Sequence, residues 1–190
     1  MSIEQTLIVV KHDGVLRGLV GEIIKRFENI GLKIVGMKMV LASDKVANEH
    51  YIATDEWANA VFTKTKASFD SQGKVLPFKS AKQYGDYIQG MNKDFLKEGP
   101  VVAIVFEGAH AVELGRKLVG NTEPRQALPG TIRGDFMHDS YSLANAKERS
   151  VRNLIHSSGT IDEAKREIAL WFDKKEISSY TKELDKHHSL

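Results

Sequence analysis

The feature that most constrains the fold is an alternation of short apolar runs with segments of helical periodicity. Residues 7–10 (LIVV) are too few for a buried helix and are rich in β-branched side chains, so they predict a buried strand. Residues 20–27 then place apolar side chains at i, i+3, i+4 and i+7, which is one face of a helix. Gly31 follows as the residue that ends this helix. The chain therefore begins as a strand followed by a helix.

The alternation continues to the last third of the chain. The same reasoning predicts further strands at 33–41, 101–106 and 151–155. It predicts helices at 43–51 with Ser43 as N-cap, at 111–118, and at 160–171, which opens on a capping box. The element order is β-α-β-α-insertion-β-α-loop-β-α. That order favours a ferredoxin-like α/β sandwich, an antiparallel four-stranded sheet with flanking helices, plus an insertion.

Three stretches do not fit the simple alternation. Residues 52–98 hold two helical patterns, one around Trp57 and one at about 80–97, and we expect an ordered insertion there. Residues 120–150 show little periodicity, and an irregular stretch of that length inside a domain is usually functional. From Asp173 onward the chain is polar and charged, and we expect this tail to be partly disordered.

Composition excludes several classes of protein. The chain has no cysteine, which excludes disulfides, thiolate zinc sites, iron–sulfur clusters and a cysteine nucleophile. Lys and Arg number 27 against 25 Asp and Glu, so the net charge of +2 makes a nucleic-acid-binding protein unlikely. The longest apolar run, 101–106, is too short to span a membrane, and the N-terminus carries no secretory signal. We therefore expect a cytoplasmic protein with no membrane partner.

Two segments carry residues suited to phosphate chemistry, although neither phosphate-binding glycine motif, G-x-x-x-x-G-K-[ST] or G-x-G-x-x-G, is present. Lys11 directly follows the first strand and precedes an Asp-Gly turn, so its amine can reach a site beside the sheet. The stretch 122–135 is stiffened by prolines and has Arg116, Arg125 and Arg133 within or beside it, which is typical of a phosphate clamp. The alternatives are a solvated lysine and an ordinary surface loop.

A candidate nucleophile is His156, at the end of the predicted last strand and next to two serines. Imidazole has an unperturbed pKa of about 6.5, so the neutral form is available near neutral pH. A nucleophilic histidine needs an acceptor on its other ring nitrogen, and Ser158 and Glu167 are candidates. The alternative is a structural or exposed histidine. In the tail, His187 and His188 predict no more than weak adventitious metal binding.

Taken in chain order, these segments resemble nucleoside diphosphate kinase. The matching segments are 6–15 (TLIVVKHDGV), 21–24, 50–51, 99–102, 107–108, 111–112, 129–135 (PGTIRGD), 153–158 (NLIHSS) and 166–172 (REIALWF). Each motif alone is modest, but their joint occurrence in this order is specific. The resemblance implies one kinase domain at 1–172, insertions at about 52–98 and 137–149 as in a longer subgroup of the family, and a polar tail at 173–190.

The resemblance implies a ping-pong reaction on a ferredoxin-like fold. ATP or another nucleoside triphosphate gives its γ-phosphate to His156, and the phosphohistidine passes it to a nucleoside diphosphate. Magnesium, held mainly by the nucleotide phosphates, offsets their charge. Family members are usually hexamers or tetramers built from a common dimer, so a homo-oligomer is implied.

The resemblance also implies the catalytic set. His156 is the nucleophile, and Lys11 lies near the transferred γ-phosphate and the nucleotide sugar. Tyr51 matches the active-site tyrosine near the nucleophile. Ser158 and Glu167 match the pair that supports it.

The implied nucleotide-binding set adds residues from three further segments. Arg116 matches the arginine on the β-phosphate, Thr122 its phosphate-binding neighbour, and Arg133 the arginine on the β- and γ-phosphates. Asn153 matches the asparagine on the ribose hydroxyl. Where the family stacks a phenylalanine on the base, this chain has residues 55–58 (DEWA), and we predict Trp57 as the stacking residue with Phe62 as the alternative.

Two further departures concern the backbone of the site. His12 stands where the family usually has proline, which should loosen the turn after Lys11, and Gly159 stands where an acidic residue is common. Two other functions remain open from the sequence: a phosphohistidine relay to another protein, and a catalytically silent ferredoxin-like interaction module.

Overall fold

The computed structural model describes residues 3–71 and 73–182. Its four strands are β1 (Ile3–Val10), β2 (Lys33–Val40), β3 (Val101–Ala109) and β4 (Ile155–Ser157). They form one sheet in the order β2-β3-β1-β4, and every neighbouring pair is antiparallel. This arrangement confirms the predicted four-stranded antiparallel sheet of a ferredoxin-like fold.

The helices connect and cover the strands. They are α1 (His12–Leu16), α2 (Val20–Asn29), α3 (Asp44–His50), α4 (Asp55–Asp70), α5 (Ala81–Lys97), α6 (Ala111–Val119), α7 (Ile132–Phe136), α8 (Tyr141–Ala146) and α9 (Ile161–Trp171). Short 3-10 helices lie at Pro124–Gln126 and Lys174–Glu176. Ser43 and Thr160 cap α3 and α9 as predicted, since their hydroxyls accept backbone N–H groups of the first turn. The predicted capping box of α9 is only half formed, because the Glu163 carboxylate accepts the N–H of Gly159 rather than that of Thr160. No helix in the described ranges is long and apolar enough to span a membrane.

The sheet separates two apolar layers, and β1 contributes to both because its side chains alternate in direction. Ile8 and Val10 pack on one face with α2, where the rings of Phe27 and Phe106 stack at a centroid distance of 4.5 Å. Leu7 and Val9 pack on the opposite face with α3 and α9. Residues 7–10 therefore form an unbroken apolar run, since both faces of this central strand are buried.

The last strand begins later than predicted, and this changes the position of the candidate nucleophile. Residues 151–154 are not a strand, because Leu154 has a φ of +66° and breaks the extended backbone. His156 therefore lies in the middle of β4, opposite Val9, rather than at a strand end. The predicted turn at residues 12–14 is also different, because these residues form the first turn of α1.

The long stretch 120–150 is not irregular throughout, since it contains α7, α8 and a 3-10 helix. Beyond α9, the first part of the tail runs along β2. Ser178 donates its backbone N–H to the carbonyl of Val35 at 2.6 Å, and the Tyr180 hydroxyl donates to the carbonyl of Ile34 at 2.7 Å. The described part of the tail, up to residue 182, therefore packs along β2. His187 and His188 lie outside the described residues.

The insertion after α3 is an ordered helical hairpin, as predicted. Helices α4 and α5 pack closely because α5 presents Gly85 to α4. A Cβ atom at Gly85 would lie 2.7 Å from Cβ of Ala58 and 3.6 Å from Cζ3 of Trp57. Phe62 contributes a second contact, with its ring 6.1 Å from that of Tyr84.

Two alanine substitutions in α5 test this close packing. Gly90→Ala meets no atom within 4 Å, and should raise the free energy of unfolding by about 0.5–1 kcal/mol, because alanine is the better helix former. Gly85→Ala gains the same helix propensity but forces the helices apart, and overpacking of this kind costs roughly 1–3 kcal/mol. Urea unfolding of both variants measures the difference. Equal stabilisation by the two substitutions would contradict the packing described for Gly85.

Candidate active site

Lys11 is buried at the point where β1 ends and α1 begins. Its backbone N–H donates to the carbonyl of Leu154 at 2.7 Å, and its Nζ donates to Oδ1 of Asn153 at 2.9 Å. Burial, and then the nearby charge of Arg133, lower the pKa of Lys11 to about 7. The amine therefore sits in an environment that favours its charged form only when an anion is close.

Asn153 joins three elements of the site. Its Oδ1 accepts from Lys11, and its Nδ2 donates to the carbonyl of Thr122 at 3.0 Å. Its own carbonyl accepts from Nε of Arg133 at 3.1 Å. Thr122 takes part in this contact through its backbone carbonyl, while the residue itself is exposed.

Arg133 lies on α7 and is only 4% exposed. Besides Asn153, its guanidinium donates to the carbonyls of Gly120 and Ile155. A guanidinium has five N–H donors, so these three hydrogen bonds leave two for a ligand. Burial, and then the charge of Arg116, lower the pKa of Arg133 to about 10.

Arg116 is the third cation near His156, with Lys11 and Arg133. It lies exposed in the last turn of α6, and its charge contributes to lowering the pKa of both Arg133 and His156. The mutual repulsion of Lys11, Arg116 and Arg133 is a preformed field that an anionic ligand would relieve. Three of the predicted phosphate-binding residues, Lys11, Arg116 and Arg133, thus lie near one another, whereas Arg125 is exposed and pairs with Glu123 at 3.5 Å.

His156 lies beside this group with a side chain that is 17% exposed. Its Nε2 is 2.9 Å from Oε2 of Glu167, and the same oxygen accepts a hydrogen bond from Ser158 Oγ at 2.6 Å. Burial, and then the charge of Lys11, lower the pKa of His156 to about 3, so the ring is neutral near neutral pH. This network assigns the ring proton to Nε2, where it is donated to Glu167.

The consequence for reactivity is at Nδ1. Among the described residues no hydrogen bond is made to Nδ1 of His156, so its lone pair is available to an electrophile in the cleft. Glu167 is 1% exposed, and burial raises its pKa. A buried carboxylate on Nε2 is the support that a nucleophilic imidazole requires. His156, Glu167 and Ser158 therefore have the arrangement expected of a nucleophile with an oriented partner.

Tyr51 and His50 lie behind the nucleophile, and only the first was predicted as a site residue. The ring centroid of Tyr51 is 5.8 Å from Nζ of Lys11, and burial, followed by the charge of Glu167, raises the pKa of its phenol. His50 packs edge-on against His156 at a centroid distance of 4.3 Å. His50 was missed because it reads as the last residue of an amphipathic helix, and only the tertiary structure places it here.

The second insertion supports the site from outside through Asp139, which is 2% exposed. Its carboxylate pairs with Arg149 at 2.6 Å and accepts the backbone N–H groups of Ser140 at 2.9 Å and Arg152 at 2.7 Å. Arg152 immediately precedes Asn153 in the chain. The segment 137–149 therefore fixes the backbone that presents Asn153, and nothing in its sequence periodicity indicated this role.

The first insertion forms one wall of the site through α5. Arg152 pairs with Glu98 through both carboxylate oxygens, and its guanidinium lies 4.1 Å from the ring centroid of Phe95. The same ring is 5.3 Å from Nζ of Lys11. Trp57 and Phe62 have their described contacts within the α4–α5 hairpin. Trp57 therefore stays a prediction as the residue that stacks on the base, with Phe62 as the alternative.

Comparison with known proteins places this geometry in one family. The family model described as "Nucleoside diphosphate kinase" matches residues 4–83 and 79–177. A nucleoside diphosphate kinase from Pyrobaculum aerophilum is 42% identical over 181 residues, which cover 93% of this chain and 99% of that protein. One from Borreliella burgdorferi is 38% identical over 188 residues, covering 99% and 98%.

Solved structures agree with the sequence relatives. The crystal structure of the Pyrobaculum aerophilum NDP kinase has a TM-score of 0.89 at 40% identity and covers 94% of this chain and 100% of its own. A transition-state mimic of the Borrelia burgdorferi kinase, with bound vanadate and ADP, has a TM-score of 0.79 at 35% identity, covering 98% and 96%. A Halobacterium salinarum nucleoside diphosphate kinase in complex with CDP has a TM-score of 0.69 at 34% identity, covering 98% of each chain.

The burial of Lys11 can be tested by NMR titration of the lysine side chains. The amine of Lys11 should titrate near pH 7, because burial and Arg133 disfavour its charged form. Its resonance is assigned by its loss in Lys11→Gln. Removing the neighbouring cation in Arg133→Gln should move the midpoint upward. A midpoint in the wild-type protein near 10.4, the usual value of a solvated lysine, would contradict this environment.

Proposed function

Because the chain belongs to the nucleoside diphosphate kinase family, we propose that it transfers the γ-phosphate of a nucleoside triphosphate to a nucleoside diphosphate through phosphohistidine at His156. The observation that carries this proposal is the state of the ring. His156 is neutral near neutral pH, its Nε2 is held by Glu167, and its Nδ1 makes no hydrogen bond to a described residue. Lys11, Arg116 and Arg133 are all close enough to lower the pKa of the ring. The enzyme is a phosphotransferase, and the assignment of individual residues below is our proposal.

In the first half-reaction, Nδ1 of His156 attacks the γ-phosphorus. A nitrogen–phosphorus bond forms while the bond from the γ-phosphorus to the bridging oxygen breaks, and the nucleoside diphosphate leaves with that electron pair. The imidazole acquires positive charge as it is phosphorylated. Glu167, 2.9 Å from Nε2, offsets that charge, and Ser158 holds the carboxylate in place. The second half-reaction is the reverse, with a different nucleoside diphosphate as acceptor.

The cations and the polar side chains divide the work of binding. Lys11, the cation with the largest effect on the pKa of His156, contacts the transferred phosphate, while Arg116, Thr122 and Arg133 serve the other phosphates. Asn153 contacts the ribose hydroxyl and keeps Lys11 in place through its Oδ1. Because these groups are fixed before the substrate arrives, the reorganisation needed in the transition state is small.

The donor groups of the cleft fit phosphate oxygens better than a bare magnesium ion. The carboxylate nearest to Lys11, Asp13, is occupied by backbone N–H groups of Gly14 and Leu154, both at 3.1 Å. Magnesium prefers oxygen ligands and keeps several waters, so we propose that it enters with the nucleotide phosphates. Bound there, Mg²⁺ offsets the phosphate charge that the cations do not neutralise.

We further propose a broad substrate range, since the contacts described above address phosphates and sugar rather than the base. The ADP and CDP complexes of the two structural relatives support this range. We also propose that residues 1–172 act as one catalytic domain, and that the enzyme is a cytoplasmic homo-oligomer, a hexamer or a tetramer of dimers.

The first test uses γ-labelled ATP with magnesium and no acceptor. Wild-type protein should acquire acid-labile, alkali-stable label, and excess GDP should remove it as labelled GTP. His156→Ala should acquire none, whereas the exposed His138→Ala should behave as wild type. Label that forms but does not move to GDP would favour a phosphohistidine relay. A folded protein that takes no label would favour a silent interaction module, and label on His156→Ala would refute the nucleophile assignment.

The base-stacking residue is tested by comparing Trp57→Ala with Phe62→Ala. Removing the stacking ring should weaken binding of ADP, GDP and CDP alike by about 1–3 kcal/mol, because every base offers a π-face. We expect this loss for Trp57→Ala, measured by calorimetry at a temperature where both variants are folded. Unchanged affinity in Trp57→Ala with a loss in Phe62→Ala would transfer the role to Phe62.

A further inference from the structure

A set of potential metal ligands includes the proposed nucleophile itself. It consists of His50 at the end of α3, His156 in β4 and Glu167 on α9, which we call the His–His–Glu cluster. One ring nitrogen from each histidine and one carboxylate oxygen lie within 4.8 Å of one another. The three ligands therefore come from three separate elements, α3, β4 and α9, that converge on one point.

The cluster has more bonding capacity than its neighbours use. Oε1 of Glu167 is buried and has no hydrogen-bond partner among the described residues. The nitrogen of His50 that faces this oxygen is Nδ1, at 3.5 Å. The other ring nitrogen of His50, Nε2, is buried and has no partner among the described residues. Buried polar atoms without partners are costly, and each one in a folded protein calls for an explanation. The other carboxylate oxygen already accepts from His156 and Ser158.

We infer that the His–His–Glu cluster binds a zinc ion, and that zinc bound there inhibits phosphorylation of His156. Two imidazole nitrogens and one carboxylate are a ligand set that zinc accepts, with the fourth position left to water. Magnesium prefers an all-oxygen octahedral shell, so the same cluster would not compete for the magnesium that accompanies the nucleotide.

The dimensions of the cluster are close to those that this ion requires. Zinc–ligand bonds of about 2.0–2.2 Å place neighbouring ligand atoms roughly 3.3–3.6 Å apart. Nδ1 of His50 is 3.5 Å from Oε1 of Glu167, within this range. Nε2 of His156 is 2.9 Å from Oε2, the length of a hydrogen bond, so zinc would replace that bond and move the two atoms apart by a few tenths of an ångström. Zinc would replace a long hydrogen bond to Nδ1 of His50, which Trp171 donates at 3.3 Å. His156 opens the cluster to the cleft, since its side chain is partly exposed.

Inhibition follows from the tautomer of His156, and this step rests on the proposed function. Zinc takes the lone pair of Nε2, so the single proton of the neutral ring moves from Nε2 to Nδ1. Nδ1 then has no lone pair with which to attack phosphorus. Glu167 is also drawn to the metal and no longer supports the imidazole. The proton is conserved within the ring, and no redox change is involved.

Binding is measured first, without nucleotide, using Zn²⁺ in competition with a chromophoric chelator and Co²⁺ as a spectroscopic probe. All proteins carry His187→Gln and His188→Gln, which removes the histidine pair of the tail. The parent should bind one ion and give the intense visible bands of four-coordinate cobalt. His50→Gln should weaken binding by at least about tenfold, the scale on which zinc sites respond to altered ligation. His138→Gln, at an exposed histidine, is the matched control and should bind as the parent does.

Glu167→Gln is a second variant that keeps the proposal testable should His50→Gln fail to fold, as judged by circular dichroism. Binding that is unchanged in both folded variants, or that is lost equally in His138→Gln, would overturn the site. The kinase assay is separate, and each protein is compared with its own labelling rate without zinc. Stoichiometric zinc should block labelling of His156 by ATP in the parent, whereas His50→Gln should need at least about tenfold more zinc for the same fractional inhibition. Zinc that binds the cluster while labelling proceeds at the normal rate would overturn the inhibition. A protein that binds zinc there but never takes label would support the site and contradict the proposed function instead.

Discussion

The active site depends on the hydrogen bonds that tie the end of β1 to the residues entering β4. The N–H of Lys11 donates to the carbonyl of Leu154, the N–H of Leu154 donates to Asp13, and Nζ of Lys11 donates to Asn153. The junction is attached to β1, whose residues 7–10 are fully buried between the two apolar layers. The positions of Lys11, Asn153 and His156, the proposed cation, sugar contact and nucleophile, are therefore fixed by one local set of bonds.

Desolvation then gives these groups their chemistry. Burial lowers the pKa of both Lys11 and His156. At neutral pH the imidazole is therefore neutral, and the amine is close to its pKa of about 7. A phosphate bound beside Lys11 and Arg133 supplies the negative counter-charge that is missing next to these two cations in the free enzyme. Phosphate binding and activation of the proposed nucleophile thus use the same low-dielectric environment.

The sequence was sufficient for the elements and motifs whose signals are local. The hydroxyl caps at Ser43 and Thr160 and the helix ending before Gly31 follow from residue type and spacing, and the structure confirms them. The start of β4 could not be predicted, because a leucine gives no sign that its backbone will be left-handed. His50 and Asp139 could not be predicted either, since their roles arise from contacts between elements far apart in the chain.

The left-handed backbone of Leu154 links the apolar core to the chemistry. A non-glycine residue held in this region carries a conformational cost of about 1–3 kcal/mol. The Leu154 side chain is fully buried among the residues on one face of the sheet, and its burial stabilises the fold by about 1.5–3 kcal/mol, which offsets that cost. The hydrophobic packing of one leucine thus maintains the geometry two residues before the nucleophile. Substitutions in this core would therefore alter the rate of phosphate transfer in a protein that still folds, although the substituted residues contact no nucleotide.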